Sequence, residues 1–119
     1  MIRVGTDIIE IDRIKENLNN PMFLERVFSE KERELFSSFK NAQSFAARFC
    51  AKEALIKVFG EGVPLNEISV LNDEKGRPYY ELSGSAEIKK QDLAIERLDV
   101  SLSHCKTYAV AFAIGEIKE

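Results

Sequence analysis

The chain has 119 residues, of which 45% are hydrophobic and 31% charged, and its formal net charge is -3. A chain of this size can bury enough surface to fold without disulfides, and its acidic balance excludes a general nucleic-acid binder. The charge is uneven, with ten basic against nine acidic residues before Gly60 and seven against eleven after it, so the first half can still carry a local basic patch.

Ile2 to Ile11 is rich in β-branched residues and is predicted to be a strand. Its charges at Arg3, Asp7 and Glu10 rule out the apolar core of a secretion signal. Asp12 reads as the N-cap of a short helix from Arg13 to Leu18, which Asn19-Asn20-Pro21 ends. Ser29 and Glu32 form a capping-box pattern, predicting a helix of about ten residues through Leu35, Phe36 and Phe39. Residues 43 to 59 contain no Gly or Pro and stop at Gly60. Phe45, Phe49, Ile56 and Phe59 fall on one side of this helix and Ala47, Ala51, Ala54 and Val58 on the other, a pattern of a buried helix.

From Ile68, ISVLN and RPYYEL predict a hairpin with Gly76 in its turn, and Ser83 or Ser85 can cap a short helix through Lys90. LDVSLS and TYAVAFAI then predict a closing pair of strands with His104-Cys105-Lys106 at the bend. The second strand alternates Tyr108, Val110, Phe112 and Ile114 with Ala109, Ala111 and Ala113. This order predicts an α+β fold, a single domain over residues 1–119, with a long buried central helix packed on a mostly antiparallel sheet. No stretch approaches the roughly 20 apolar residues of a membrane span. Cys50 and Cys105 lack the spacing of a zinc site and read as reduced thiols, so the expectation is a cytoplasmic protein without membrane or nucleic-acid partners.

Several residues are not explained by folding alone. Asp7 sits mid-strand among Val4, Ile8, Ile9 and Ile11, and needs either a cation or water. Arg48 and Lys52 lie four apart on one helix face, where like charges repel unless an anion lies between them. Glu53 can pair with Lys57 at i,i+4, or act with Asp7 as two hard oxygen ligands of the kind Mg²⁺ accepts beside phosphates. His104, the only histidine, is either a turn residue or, with Lys106, a grip for a phosphate. Arg13, Lys15 and Arg26 are either a solvated face or a docking patch.

Taken together, VGTDIIEIDRI, FLERVFSEKE, ARFCAKEALIKVFGEG, NDEKGRPYYEL and SLSHCKTYAVA resemble, in order and over nearly the whole chain, the small 4'-phosphopantetheinyl transferases of the holo-[acyl-carrier-protein] synthase type. That resemblance implies transfer of the phosphopantetheine arm of coenzyme A to a serine of an apo-acyl carrier protein, releasing adenosine 3',5'-bisphosphate, in fatty acid biosynthesis. By the same resemblance Asp7 and Glu53 bind Mg²⁺, Lys52 stands beside the coenzyme A diphosphate as a catalytic group, and His104 contacts phosphate. Arg48 is implied to hold a phosphate or the structure, and Arg13 and Arg26 to meet the acidic carrier helix. The resemblance further implies a homotrimer with each site at the junction of two subunits, for which the alanine face of the last strand is a candidate contact. The chain departs from the family pattern at Ala47 and at Glu61, which stands between two glycines.

Overall fold

A computed structural model describes residues 1–38 and 41–118. Strand β1 (Ile2–Glu10) leads directly into helix α1 (Ile11–Lys15). Asp12 lies inside the first turn of α1 and does not cap it, because the N-cap position is Glu10, which makes no side-chain cap bond. Asn19-Asn20-Pro21 ends α1 but also starts a helix the sequence reading did not separate, α2 (Pro21–Val27). Asn20 Oδ1 accepts from the backbone N–H groups of Met22 and Phe23, and Pro21 occupies the first turn, where a missing N–H costs nothing.

The Ser29–Glu32 capping box forms as read, opening α3 (Glu30–Glu34). The helix is half the expected length: Leu35 leaves helical geometry and Phe36–Ser38 continues as a 3-10 turn. Phe36 there packs edge-on against Phe28 at 5.6 Å and lies 5.2 Å from Phe45. Phe39, placed in that helix by the sequence, lies outside the described residues.

Helix α4 (Ala42–Phe59) runs from an Asn41 cap to Gly60, whose φ of 75° closes the helix in the left-handed region. It is buried almost all round, with Ala46, Ala47, Cys50, Ala51, Lys52, Ala54, Leu55, Val58 and Phe59 inside. Strands β2 (Ile68–Asn72) and β3 (Pro78–Leu82) form the predicted hairpin, with Gly76 at a φ of 85° and Asp73 Oδ1 accepting from the backbone of Lys75 and Arg77. Helix α5 (Gly84–Asp92) follows; neither Ser83 nor Ser85 caps it alone, because Glu67 Oε1 accepts from Ala86 N and from the Ser85 hydroxyl.

Strands β4 (Ile95–His104) and β5 (Tyr108–Ile117) complete a three-stranded antiparallel sheet of order β1-β5-β4, separate from the β2–β3 pair. The fold is therefore α+β with α4 on an antiparallel sheet, as expected, but with two sheets in place of one. The alanine face of β5 is wholly occupied by α4 within the chain: Ala109, Ala111 and Ala113 are all 0% exposed. This corrects its candidacy as a contact between subunits. The bulky face is the open one, with Tyr108, Val110 and Phe112 joined by Val4 and Ile8 from β1 as exposed apolar residues.

Candidate active site

Strand β1 and helix α4 touch at Gly5, where the ideal Cβ of any other residue would clash with the backbone of Ala54 and lie 3.0 Å from Cβ of Lys57. That contact sets which residues share the junction. Asp7 lies two positions along the same strand face, and Glu53 precedes Ala54 in the helix; both are partly buried. Lys57, one turn after Glu53, reaches back over the strand: its Nζ donates to the carbonyl of Thr6 at 2.7 Å and stands 3.6 Å from Asp7 Oδ1.

Burial first, and the charge of Asp7 second, hold the Glu53 carboxyl above its ordinary value, while Lys57 opposes the shift. Beneath them Cys50 donates from its thiol to the Ala109 carbonyl at 3.3 Å, and burial together with the Asp7 charge pushes that thiol up to about 12. It is a packed, protonated group and no nucleophile.

Lys52, which the resemblance implied to stand beside a diphosphate, does not join this junction. Its ammonium is 0% exposed and donates to the carboxylate of Glu32, to the Val27 carbonyl at 2.8 Å, to Leu65 at 3.1 Å and to Ile68 at 2.6 Å. Burial pulls it down to about 8, against the opposing pull of Glu32. The anion that relieves the Arg48–Lys52 repulsion is thus an internal one. Glu32 also accepts from Ser29 N at 2.9 Å and Val70 N at 3.1 Å, so every polar member of this buried group has a partner.

Arg48 and His104 lie apart from this junction. Arg48 is five residues before Glu53, about 140° round α4. Its Nη2 donates to Asn72 Oδ1 at 2.7 Å, and burial lowers its pKa. Asn72 begins a cleft of about 380 Å³ that Gly76, Arg77, Ser101 and Phe112 also line. His104 is exposed at the end of β4, opposite Ala109, which is itself opposite Ile9. That puts it two strands over and two residues along from Asp7, about 12 Å away. Arg13 and Arg26, in the last turns of α1 and α2, are both exposed.

A family model described as the 4'-phosphopantetheinyl transferase superfamily matches residues 3–113. The chain belongs to that superfamily. Within it, the chain is 48% identical to a holo-[acyl-carrier-protein] synthase of Ruminiclostridium cellulolyticum, over 93% of this chain and 89% of the relative. Among solved structures it is similar to an ACPS-CoA complex of Chronobacterium ammoniagenes (31% identity, TM-score 0.85, covering 100% of this chain and 99% of that one). It is also similar to a Helicobacter pylori holo-[acyl-carrier-protein] synthase in complex with coenzyme A (28% identity, TM-score 0.82, 95% and 99%). The chain is an enzyme of the holo-[acyl-carrier-protein] synthase group of this superfamily.

For this transferase chain, the site residue that sequence reasoning passed over is Lys57, read only as an ion-pair partner of Glu53. The signal was present: four residues from Glu53 is the same helix face, whereas Lys52 is about 100° round from it.

Proposed function

We propose that this chain transfers the 4'-phosphopantetheine group of coenzyme A to a serine of an apo-acyl carrier protein in the cytoplasm, with release of adenosine 3',5'-bisphosphate, and that the transfer is Mg²⁺-dependent and serves fatty acid biosynthesis. The observation that carries the reading is the meeting of Asp7, Glu53 and Lys57 at one open junction of strand and helix.

The two carboxylates fit Mg²⁺. They are hard oxygen donors, their mutual repulsion leaves the pair short of positive charge, and among the described residues no third His, Cys, Asp or Glu joins them. Such a pair suits an ion that completes its octahedron with water and substrate phosphate. Mg²⁺ held there would neutralise charge on the diphosphate and polarise the phosphorus under attack. Lys57 would place a further positive charge on the same diphosphate. One phosphorus changes partners: the serine hydroxyl gives its proton to a water at the site, its oxygen bonds to that phosphorus, the bond from phosphorus to the bridging oxygen of the diphosphate breaks, and adenosine 3',5'-bisphosphate leaves with that oxygen.

His104, about 12 Å from Asp7 by strand register, and Arg48, about 140° round α4 from Glu53, stand apart from those groups, which fits a site that a second copy completes. The open apolar face of β1 and β5 supports a homotrimer in which one subunit supplies Asp7, Glu53 and Lys57 and its neighbour supplies His104, Arg48 and the cleft beside Asn72. The exposed Arg13 and Arg26 support docking of an acidic carrier, which the net charge of -3 would otherwise repel.

The test is to incubate the protein with coenzyme A, Mg²⁺ and an apo-acyl carrier protein and weigh the carrier by mass spectrometry. A gain of one phosphopantetheine is expected, with none from Asp7→Ala. Loss of coenzyme A without gain on the carrier would show a hydrolase, and no change in either would show a binding module.

A further inference from the structure

Asn72 is the last residue of β2, opposite Pro78, and its side-chain amide joins two parts of the molecule. Its Oδ1 accepts from Arg48 Nη2 at 2.7 Å, and its Nδ2 donates to the Gly76 carbonyl at 2.9 Å. The second bond fixes which way the amide faces, because only its nitrogen end can donate to a carbonyl. Gly76 is itself held in the hairpin turn, where its N–H donates to the Asp73 carbonyl at 2.9 Å. On the helix side, Arg48 Nη1 donates to the Ser44 carbonyl at 3.2 Å, so both terminal nitrogens of the guanidinium are gripped. These two acceptors are neutral. They fix the plane of the fork without cancelling its charge, as a carboxylate in their place would.

We propose that Asn72 is a positioning residue for Arg48: it carries the geometry of the hairpin turn to the guanidinium and holds it, still charged, beside the cleft to meet a phosphate of bound coenzyme A. This rests on the function proposed above, in which Arg48 holds a phosphate. Asn72 and Gly76 both line that cleft of about 380 Å³, so an arginine bonded to Asn72 stands at its edge. The bond itself is exposed to solvent and adds little to stability. What it supplies is order. A long side chain that must find its pose on binding loses its freedom at that moment, whereas one already held loses little more.

The test is a double-mutant cycle of Asn72→Ala and Arg48→Ala, reading the Kd for coenzyme A by calorimetry together with KM and kcat. Asn72→Ala is expected to raise both Kd and KM for coenzyme A about three- to tenfold with kcat within about twofold, and Arg48→Ala to raise them further. The double variant binds coenzyme A as Arg48→Ala does, within about twofold, because Asn72 acts through the guanidinium alone. Effects that multiply instead show Asn72 acting by itself, by touching the substrate or by supporting the hairpin, and that result overturns the proposal. So does an unchanged Kd in Asn72→Ala or in Arg48→Ala. Should Asn72→Ala fail to fold, Asn72→Ser, whose side chain is too short to reach both partners, takes its place in the same cycle and is read the same way. Wild-type protein that neither binds coenzyme A nor modifies a carrier sinks the function itself, an outcome separate from all of these.

Discussion

Gly5 and Ala54 are in backbone contact so close that a Cβ on residue 5 would lie 2.0 Å from the Ala54 carbonyl oxygen. Because Asp7 and Glu53 are referenced to this contact, the glycine fixes the gap between the two carboxylates as well as the packing. Gly5→Ala forces β1 and α4 apart. It is expected to cost at least about 1–3 kcal/mol in chemical denaturation, as overpacking does, and to reduce kcat at saturating Mg²⁺ far more than the change in folded fraction accounts for. A variant with wild-type kcat would show that the carboxylate gap does not depend on this contact.

The Glu32–Lys52 pair is structural, so its variants should separate stability from chemistry. Lys52→Met or Glu32→Gln alone strands a buried polar partner and is expected to cost about 3–5 kcal/mol. The double variant should recover part of that loss, and the folded fraction of each should keep wild-type kcat. A Lys52→Met protein that folds fully but does not turn over would restore Lys52 to the reaction.

Tyr80 gives the fold a pH dependence on the alkaline side. Its hydroxyl donates to the Ala51 carbonyl at 2.5 Å, tying the β2–β3 hairpin to α4, and burial raises its pKa well above the ordinary 10.0. Since the folded state holds the proton more tightly than the unfolded chain, this contribution is complete below pH 10 and is lost as pH rises beyond it. Denaturant midpoints of wild type and Tyr80→Phe should therefore keep a constant difference up to about pH 10 and converge above it. A difference that stays constant through pH 11 would contradict the burial of this hydroxyl.

Arg13 stands exposed in the last turn of α1. Arg13→Ala is expected to raise KM for the carrier several-fold at low salt, an effect that fades as salt is added, while leaving coenzyme A affinity nearly unchanged. An unaltered carrier KM at low salt would move the docking surface elsewhere.

If each site is shared between copies, two inactive variants should rescue each other. Asp7→Ala and His104→Ala proteins, unfolded together and refolded as a mixture, are expected to recover roughly one-quarter of wild-type activity. Phe112→Asp, on the open sheet face, should shift the protein to monomers in analytical ultracentrifugation and lose activity with its secondary structure intact. Failure of the mixture to recover activity would place the whole site in one chain.

The sequence showed the elements whose signals are local. The capping box at Ser29, the uninterrupted run into Gly60 and the turn at Gly76 all form where their residue chemistry places them. Asp7 and Glu53 were legible because carboxylates among apolar neighbours demand an explanation. What stayed hidden depends on long-range packing. Glu32 looked like a capping residue alone, and nothing local shows that its carboxylate also takes the charge of Lys52 twenty positions away. Likewise the alternation in β5 shows two faces, but only the docking of α4 decides that the small one is inside.

Lys52 draws its partners from residues 27, 32, 65 and 68, on both sides of α4 in the chain. Two of these acceptors, on residues 65 and 68, follow α4 in the chain, so the full set that satisfies the buried ammonium exists only once β2 has begun. A polypeptide truncated before residue 65 should therefore leave Lys52 short of two partners and hold α4 less firmly against the early helices.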